Sequence, residues 1–302
     1  MYKRILVPLD GSAFAEAALP LALSLSTKTR ADVQLVTVVE PIPAFAYENW
    51  ESAAREWSEQ YLAAVADRIS GAAGGEVTTA LHSGHVVETL VEAANAFDAD
   101  LVVMATHGRG ALSRAWLGSV ADGFMRHAEM PVLFVRPEEG DAPAPEPRPD
   151  FDTVLVPLDG TELSESALAH ATELGELFGC AYHLTRIVSY PIDIASPYLP
   201  HTVQMNQTVL GEAKADAAEY LEDRADQMRK RGLRVTTSVI VDAQAGQGIL
   251  AEAEAVGCDL IAMATHGRKG VGRLVLGSAA DKVLRGTHVP LLLYRPATVP
   301  AT

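Results

Sequence analysis

Apolar residues along this chain follow two rhythms. Short apolar runs that end at turn residues read as buried strands, and longer stretches with apolar positions three and four apart read as helices. Residues 4–9 are apolar up to Asp10-Gly11 and predict a strand. Ser12 can cap the helix that follows, whose apolar face is Ala15, Ala18, Leu19, Ala22, Leu23 and Leu25. Strands are then predicted at 33–39, 76–81, 101–105 and 132–135, with helices at 51–69, 86–97 and from 119. The second half predicts strands 153–158, 182–188, 234–241, 259–264 and 291–294. Its helices fall at 162–178, near 208–231, at 247–256 and from about 279. Strands apolar on both faces and alternating with helices indicate a parallel sheet covered on both sides. Right-handed crossovers restrict this to a doubly wound α/β fold.

The halves repeat letters as well as rhythm. Ile5-Leu6-Val7-Pro8-Leu9-Asp10-Gly11-Ser12 returns as Val154-Leu155-Val156-Pro157-Leu158-Asp159-Gly160-Thr161. Met104-Ala105-Thr106-His107-Gly108 returns as Met263-Ala264-Thr265-His266-Gly267. Nine residues after each of those glycines comes Gly-Ser, at Gly118-Ser119 and Gly277-Ser278. What both copies retain, both are expected to need. The copies are offset by 149 residues at Asp10 and Asp159, and by 159 at Gly108 and Gly267. An insertion of ten residues is therefore expected between 189 and 208. Pro, Ala and acidic residues crowd 137–149, a composition that favours an extended spacer. The expected organisation is a first domain at 1–137, a linker at 138–150 and a second domain at 151–297.

Composition narrows the function classes. The chain has 302 residues, enough for two cores, and 39 acidic against 24 basic side chains, a net charge of −15. Such a charge argues against nucleic acid as primary partner, since backbone binding needs clustered Lys and Arg. No apolar run approaches the length of a membrane span, and the N-terminus enters a strand without a secretory pattern, so no membrane partner is expected. Two cysteines, Cys180 and Cys258, are too few for a disulfide framework or a thiolate metal site. A reducing cytoplasm is the expected location. His82 and His85 have no counterparts in the second half and read as a solvated turn.

Ligands of doubly wound sheets bind beyond the carboxyl ends of the strands, where the strand order reverses. Asp10 and Asp159 follow the first strand of each half, and the Gly-rich loops follow the fourth. Gly108 and Gly118, like Gly267 and Gly277, allow backbone to approach phosphate closely. The helix starts at Ser119-Val120 and Ser278-Ala279 offer N–H groups and a favourable dipole to an anion. Arg109 and Arg114 recur as Arg268 and Arg273 and fit phosphate neutralisation or ordinary solvated surface. Plainer readings exist. Ser119 with Asp122, and Ser278 with Asp281, resemble a capping box, and Asp10-Gly11-Ser12 reads equally as a turn and cap. His107 and His266 either contact phosphate or fix loop geometry.

No Gly-x4-Gly-Lys-Ser/Thr loop occurs, and Gly108-Arg109-Gly110 lacks the third glycine of a dinucleotide loop. The spaced constellation instead resembles the ATP-binding subset of the universal stress protein family, with its Gly-x2-Gly-x9-Gly-Ser/Thr pattern and first-strand Asp. Both halves carry it, with one shared departure: the first Gly is Ala105 and Ala264. Ala fits there if the residue keeps strand geometry with negative φ. The resemblance implies two five-stranded parallel sheets of order 3-2-1-4-5 and a stress-response regulator binding ATP, ADP or AMP in each domain. It places the adenosine end near Asp10, Pro8 and the main chain of Val38-Val39, and near Asp159, Pro157 and Ile187-Val188. The glycines and serines would hold the phosphates, with Mg²⁺ reached through water. Pairing of the two domains through their last strands, and a homodimer, are further implications. No base is aligned with a nucleophile, so turnover beyond slow ATP hydrolysis is not expected.

Overall fold

The computed structural model describes residues 2–41, 50–107, 117–137, 150–189, 201–265 and 276–296, with backbone alone at 201–207. The elements of the first half are β1 (Arg4–Pro8), α1 (Ala13–Glu16), α2 (Leu19–Thr29), β2 (Asp32–Val39), α3 (Trp50–Ser70), β3 (Val77–Ser83), α4 (Val86–Ala96), β4 (Leu101–Ala105), α5 (Ser119–His127) and β5 (Val132–Val135). The second half contains β6 (Thr153–Pro157), α6 (Glu162–Phe178), β7 (Ala181–Val188), α7 (His201–Arg229), β8 (Arg234–Val241), α8 (Ala245–Val256), β9 (Leu260–Ala264), α9 (Ser278–Gly286) and β10 (Leu291–Tyr294). These form two compact units: residues 1–150, 267–275 and 290–302, and residues 151–266 and 276–289.

In the first unit the strands lie in the order β3-β2-β1-β4-β5, all parallel, as the doubly wound reading requires. β10 joins β5 antiparallel, with Leu291 opposite Phe134 and Leu293 opposite Val132. The second unit orders its strands β8-β7-β6-β9, again parallel. Central strands are buried on both faces: Ile5, Leu6 and Val7, and Leu101, Val102 and Val103, are fully enclosed. This is why their sequences run apolar without alternation. No helix among the described residues is long and apolar enough to cross a membrane.

Two local differences between the halves have clear causes. The apolar face after Ser12 is split between α1 and α2, because Pro20, in the first turn of α2, lacks the N–H that a continuous helix would use. Its counterpart is Ala169, and α6 runs unbroken over 17 residues. The offset of 159 would start a copy of Trp50–Ser70 at residue 209, yet α7 starts at His201. The change of offset from 149 to 159 falls between Val188 and Tyr220.

The second unit also buries a polar network. His183 Nδ1 lies 2.8 Å from Thr236 Oγ1, while Nε2 lies 2.9 Å from Ser238 Oγ and 2.8 Å from Glu252 Oε1. Gln34 and Ala93 stand at the corresponding places in the first half. Both cysteines are buried and free.

Candidate functional site

The turn after β1 is built by its own side chains. Asp10 Oδ1 accepts from the Ser12 N–H at 3.0 Å and from Ser12 Oγ at 2.6 Å, and Ser12 Oγ accepts from the Ala15 N–H at 3.2 Å. Gly11 has φ 80°, a left-handed conformation that glycine adopts without strain. The second copy has the same construction. Asp159 Oδ1 accepts from Thr161 N–H and Oγ1 at 2.9 and 2.5 Å, Thr161 caps α6, and Gly160 has φ 87°. The turn-and-cap reading of both motifs is thus correct, and the turn fixes each aspartate at the carboxyl end of a central strand.

Ala105 ends β4 within the ladder, paired with Val135, and Ala264 ends β9 likewise. Neither is among the described non-glycine residues with positive φ, so alanine meets no backbone penalty at either place. Gly108, Arg109 and Arg114, and His266, Gly267, Arg268 and Arg273, lie outside the described residues.

The capping-box reading of Ser119 and Ser278 needs correction. The N-cap residues are Gly118 and Gly277, already extended at φ −60°, ψ 143° and φ −57°, ψ 143°, and neither helix start receives a side-chain cap. Ser119 and Ser278 are the first helical residues. Asp122 and Asp281 do not reach back; they pair forward with Arg126 at 2.8 Å and Arg285 at 2.9 Å. The first N–H groups of α5 and α9 are left for another acceptor. At Gly118 a Cβ would stand 3.1 Å from the Thr106 carbonyl oxygen, to which its own N–H donates at 2.8 Å. Glycine is favoured there by close approach, with an ordinary backbone conformation.

These pieces enclose a cavity of about 630 Å³ in the first unit. Pro8, Asp10, Val38, Ala105, His107, Gly118, Ser119 and Val120 all line it. Leu9, Val86, Leu90, Met104 and Leu117 add an apolar wall, and Glu40 an acidic edge. Val39 is turned into the core, 7% exposed. In the second unit Pro157 and Asp159 end β6 and its turn, Ile187 and Val188 end β7, and Gly277, Ser278 and Ala279 open α9, the same places in the topology.

His107 Nδ1 lies 2.8 Å from Thr106 Oγ1, and its buried Nε2 has no hydrogen-bond partner among the described residues. Burial and then the Arg136 charge hold its pKa below the ordinary histidine value, which favours the neutral ring. Among the described residues no cluster of three His, Cys, Asp or Glu side chains could hold a metal ion. His85 caps the start of α4 without a side-chain bond and stands 3.8 Å from Glu40 at the cavity edge.

Sequence reasoning missed a second repeated cluster beside each turn. Tyr61 donates to Glu16 Oε1 at 3.0 Å and Arg68 pairs with Glu16 Oε2. In the second unit Tyr220 and Arg224 Nε both donate to Glu165 Oε1, at 2.9 and 3.0 Å. Burial first, then the Glu165 bond, pushes the Tyr220 hydroxyl up to about 12, and Tyr61 shifts in the same direction. The signal was present: Glu16 and Tyr61 recur at the two offsets that relate the halves.

The first unit is a doubly wound α/β unit with a crevice at the ends of β1 and β4, bordered by a glycine-led helix start, the place where ligands of this fold class bind. The universal stress protein family model matches residues 1–136 and 150–295, and the chain belongs to that family. A universal stress protein of Mycolicibacterium smegmatis is 29% identical over 304 residues, 97% of each chain. One of Mycobacterium tuberculosis is 28% identical over 300 residues, 96% of each. The crystal structure of a universal stress protein from Archaeoglobus fulgidus superposes with a TM-score of 0.73 at 20% identity, covering 97% of this chain and 98% of that one, which shows a shared fold.

Proposed function

We propose that each domain (1–137 and 151–297, joined by the linker 138–150) binds ATP or another adenine nucleotide, and that occupancy changes the protein's conformation or interactions. The observation that carries this reading is the first crevice. An uncapped α5 start, the close backbone of Gly118 and His107 Nε2, which has no partner among the described residues, all border a cavity large enough for a nucleotide. An adenine nucleotide supplies an apolar base and an anionic tail, and the residues present fit both.

In this reading Asp10 and the main chain of Val38-Val39 orient the adenosine, against Pro8 and the apolar wall. N–H groups of Gly118, Ser119 and Val120, with Gly108, Arg109 and His107, receive the phosphates. Ala105 lets the chain leave β4 without obstructing them. Asp159, Pro157, Ile187-Val188, Ala264, His266, Gly267, Arg268, Gly277, Ser278 and Ala279 take the same roles in the second crevice. Mg²⁺ would be held by the phosphates through water. Conformational change would reach other molecules through the pairing of domains and a homodimer of the cytoplasmic protein.

Freshly purified protein, denatured and chromatographed, should release adenine nucleotide, and calorimetric titration of emptied protein with ATP should give two sites per chain. No released nucleotide and no heat at millimolar ATP would overturn the proposal in favour of a nucleotide-free scaffold.

A further inference from the structure

Among the described residues, two helix starts without a side-chain cap border the first cavity, and one of them is closed to an anion. α5 begins at Ser119 behind Gly118, and α4 begins at Val86 behind His85. Val86, Gly118 and Ser119 all line the cavity. Each start offers N–H groups and the positive end of a dipole. Beside the α4 start stands Glu40, which follows β2 directly and lines the same cavity two residues on from Val38. Its Oε1 lies 3.8 Å from Nδ1 of His85, the N-cap of α4. A carboxylate in that place repels a second anion, which leaves an anionic group to α5.

The sheet order separates the two ends. β2, β1 and β4 are neighbours, so the end of β2 at Glu40 is two strand spacings, roughly 10 Å, from the end of β4 that leads towards α5. A ligand that sets its anionic group against α5 brings its uncharged end to Glu40. What meets it there is an acceptor, because a carboxylate accepts hydrogen bonds and does not donate them. Asp10 commits Oδ1 to the N–H and hydroxyl of Ser12. Among the described residues Glu40 receives no hydrogen bond, and His85 at 3.8 Å is too far away to supply one. The side chains around it on the lining, Val38, Val86 and Leu90, are apolar.

Resting on the nucleotide reading above, we propose that Glu40 is a specificity-determining residue of the first crevice. It accepts a hydrogen bond from a neutral donor on the nucleoside, the base amine or a ribose hydroxyl, and ranks nucleotides by whether they carry that donor. The corresponding residue of the second half is Ser189, and His85 is matched by Gln244, so the carboxylate belongs to the first half alone.

Calorimetric titration of the full chain with AMP, IMP, 2′-deoxy-AMP and 3′-deoxy-AMP tests this. IMP has a carbonyl where AMP has the amine, and each deoxy compound lacks one hydroxyl. At one site at least one of the three analogues should bind roughly fivefold or more weakly than AMP, the part of a charge-assisted bond that survives at a side chain 62% exposed. Which analogue loses identifies the donor. Glu40→Ser, which installs the residue of the second half, should close that gap by weakening AMP to the level of the losing analogue. Glu40→Gln should narrow the gap, and should reverse it where IMP is the loser, because the amide N–H can donate to the carbonyl. Equal binding of all four nucleotides by the wild-type protein, or a gap unchanged in both variants, overturns the role of Glu40 and leaves the nucleotide reading intact. Absence of binding by all four overturns the two together.

Discussion

Gly118→Ala separates the cost of filling a space from the cost of losing a ligand. Gly118 has φ −60° and ψ 143°, open to any residue, so the substitution carries no backbone strain. The obstacle is the Thr106 carbonyl, 3.1 Å from the added Cβ, with His107 Cα behind it at 3.6 Å. Both neighbours are main chain, so the join between β4 and α5 must move by a few tenths of an ångström. Overpacking of this kind costs about 1–3 kcal/mol, and restricting the unfolded chain returns about 0.4–1 kcal/mol. A net loss of about 1 kcal/mol follows, a melting shift of roughly 2–4 °C for a domain of this size.

The domain therefore stays folded, but the backbone proposed to approach the phosphates is displaced and shielded by a methyl group. We expect ATP affinity at one site to fall at least tenfold, with the calorimetric stoichiometry dropping from two sites to one. The equivalent change at Gly277 should remove the other site. Affinity unchanged at both sites in Gly118→Ala would refute the close-approach reasoning. Loss of both sites from either single substitution would refute independent crevices.

Three further outcomes follow from buried polar groups. Glu252→Ala should destabilise the second unit by about 1–3 kcal/mol by removing one of the two partners of His183 Nε2 and leaving Ser238 as the other. The double change His183→Gln with Glu252→Ala, which copies Gln34 and Ala93, should cost far less than the sum of the single changes in urea unfolding; strict additivity would mean that the pair is not coupled. Burial, reinforced by Asp259, pushes the Cys258 thiol up to about 12, so its protonated form stabilises the fold below its ordinary value near 9 and that contribution is lost as pH rises toward 12. At pH 8 Cys258 should react with a thiol reagent only after denaturant is added, and equal native and denatured rates would contradict this. His107, held below 6.5, favours the fold while neutral and loses that contribution as pH falls through 6.5 and below. His107→Gln should consequently lose less stability than the parent protein between pH 7 and 5 in thermal melts, and parallel losses would argue against the shift.

Most strands were legible because their burial leaves no alternative spelling. Leu101–Ala105 is enclosed along its whole length and contains no polar residue. The break at Pro20 was also in the letters, but the apolar face continues across it and hides the missing bond. Ser119 misled for a different reason. Ser-x-x-Asp has the spacing of a cap in any helix start, and only the backbone shows that Gly118 already occupies the cap position. The Glu16–Tyr61–Arg68 cluster joins residues 45 and 52 positions apart, beyond any local period. Comparing the halves finds Glu165 and Tyr220 but not the cation. Arg68 is seven residues after Tyr61 and Arg224 only four after Tyr220, two turns against one on the same helix face. Letters out of register conceal what side-chain reach preserves.

The duplication also locates where the two domains diverge. At the strand ends and helix starts the copies agree down to backbone angles: Ala105 and Ala264 close a strand, and Gly118 and Gly277 cap a helix within 3° in φ and at one ψ. Elsewhere corresponding side chains differ, Thr37 and Arg186, Glu40 and Ser189, Trp57 and Asp216, and His85 and Gln244. Trp57 stacks on Tyr61 in the first half, whereas Arg186 and Arg224 approach the Tyr220 ring in the second. Differences also fall in the Gly-rich stretch, where Gly110, Ala111, Leu112 and Ser113 correspond to Lys269, Gly270, Val271 and Gly272. The halves therefore share the frame of the crevice, strand ends, aspartate turns and glycine-led helix starts, and vary the side chains carried on it.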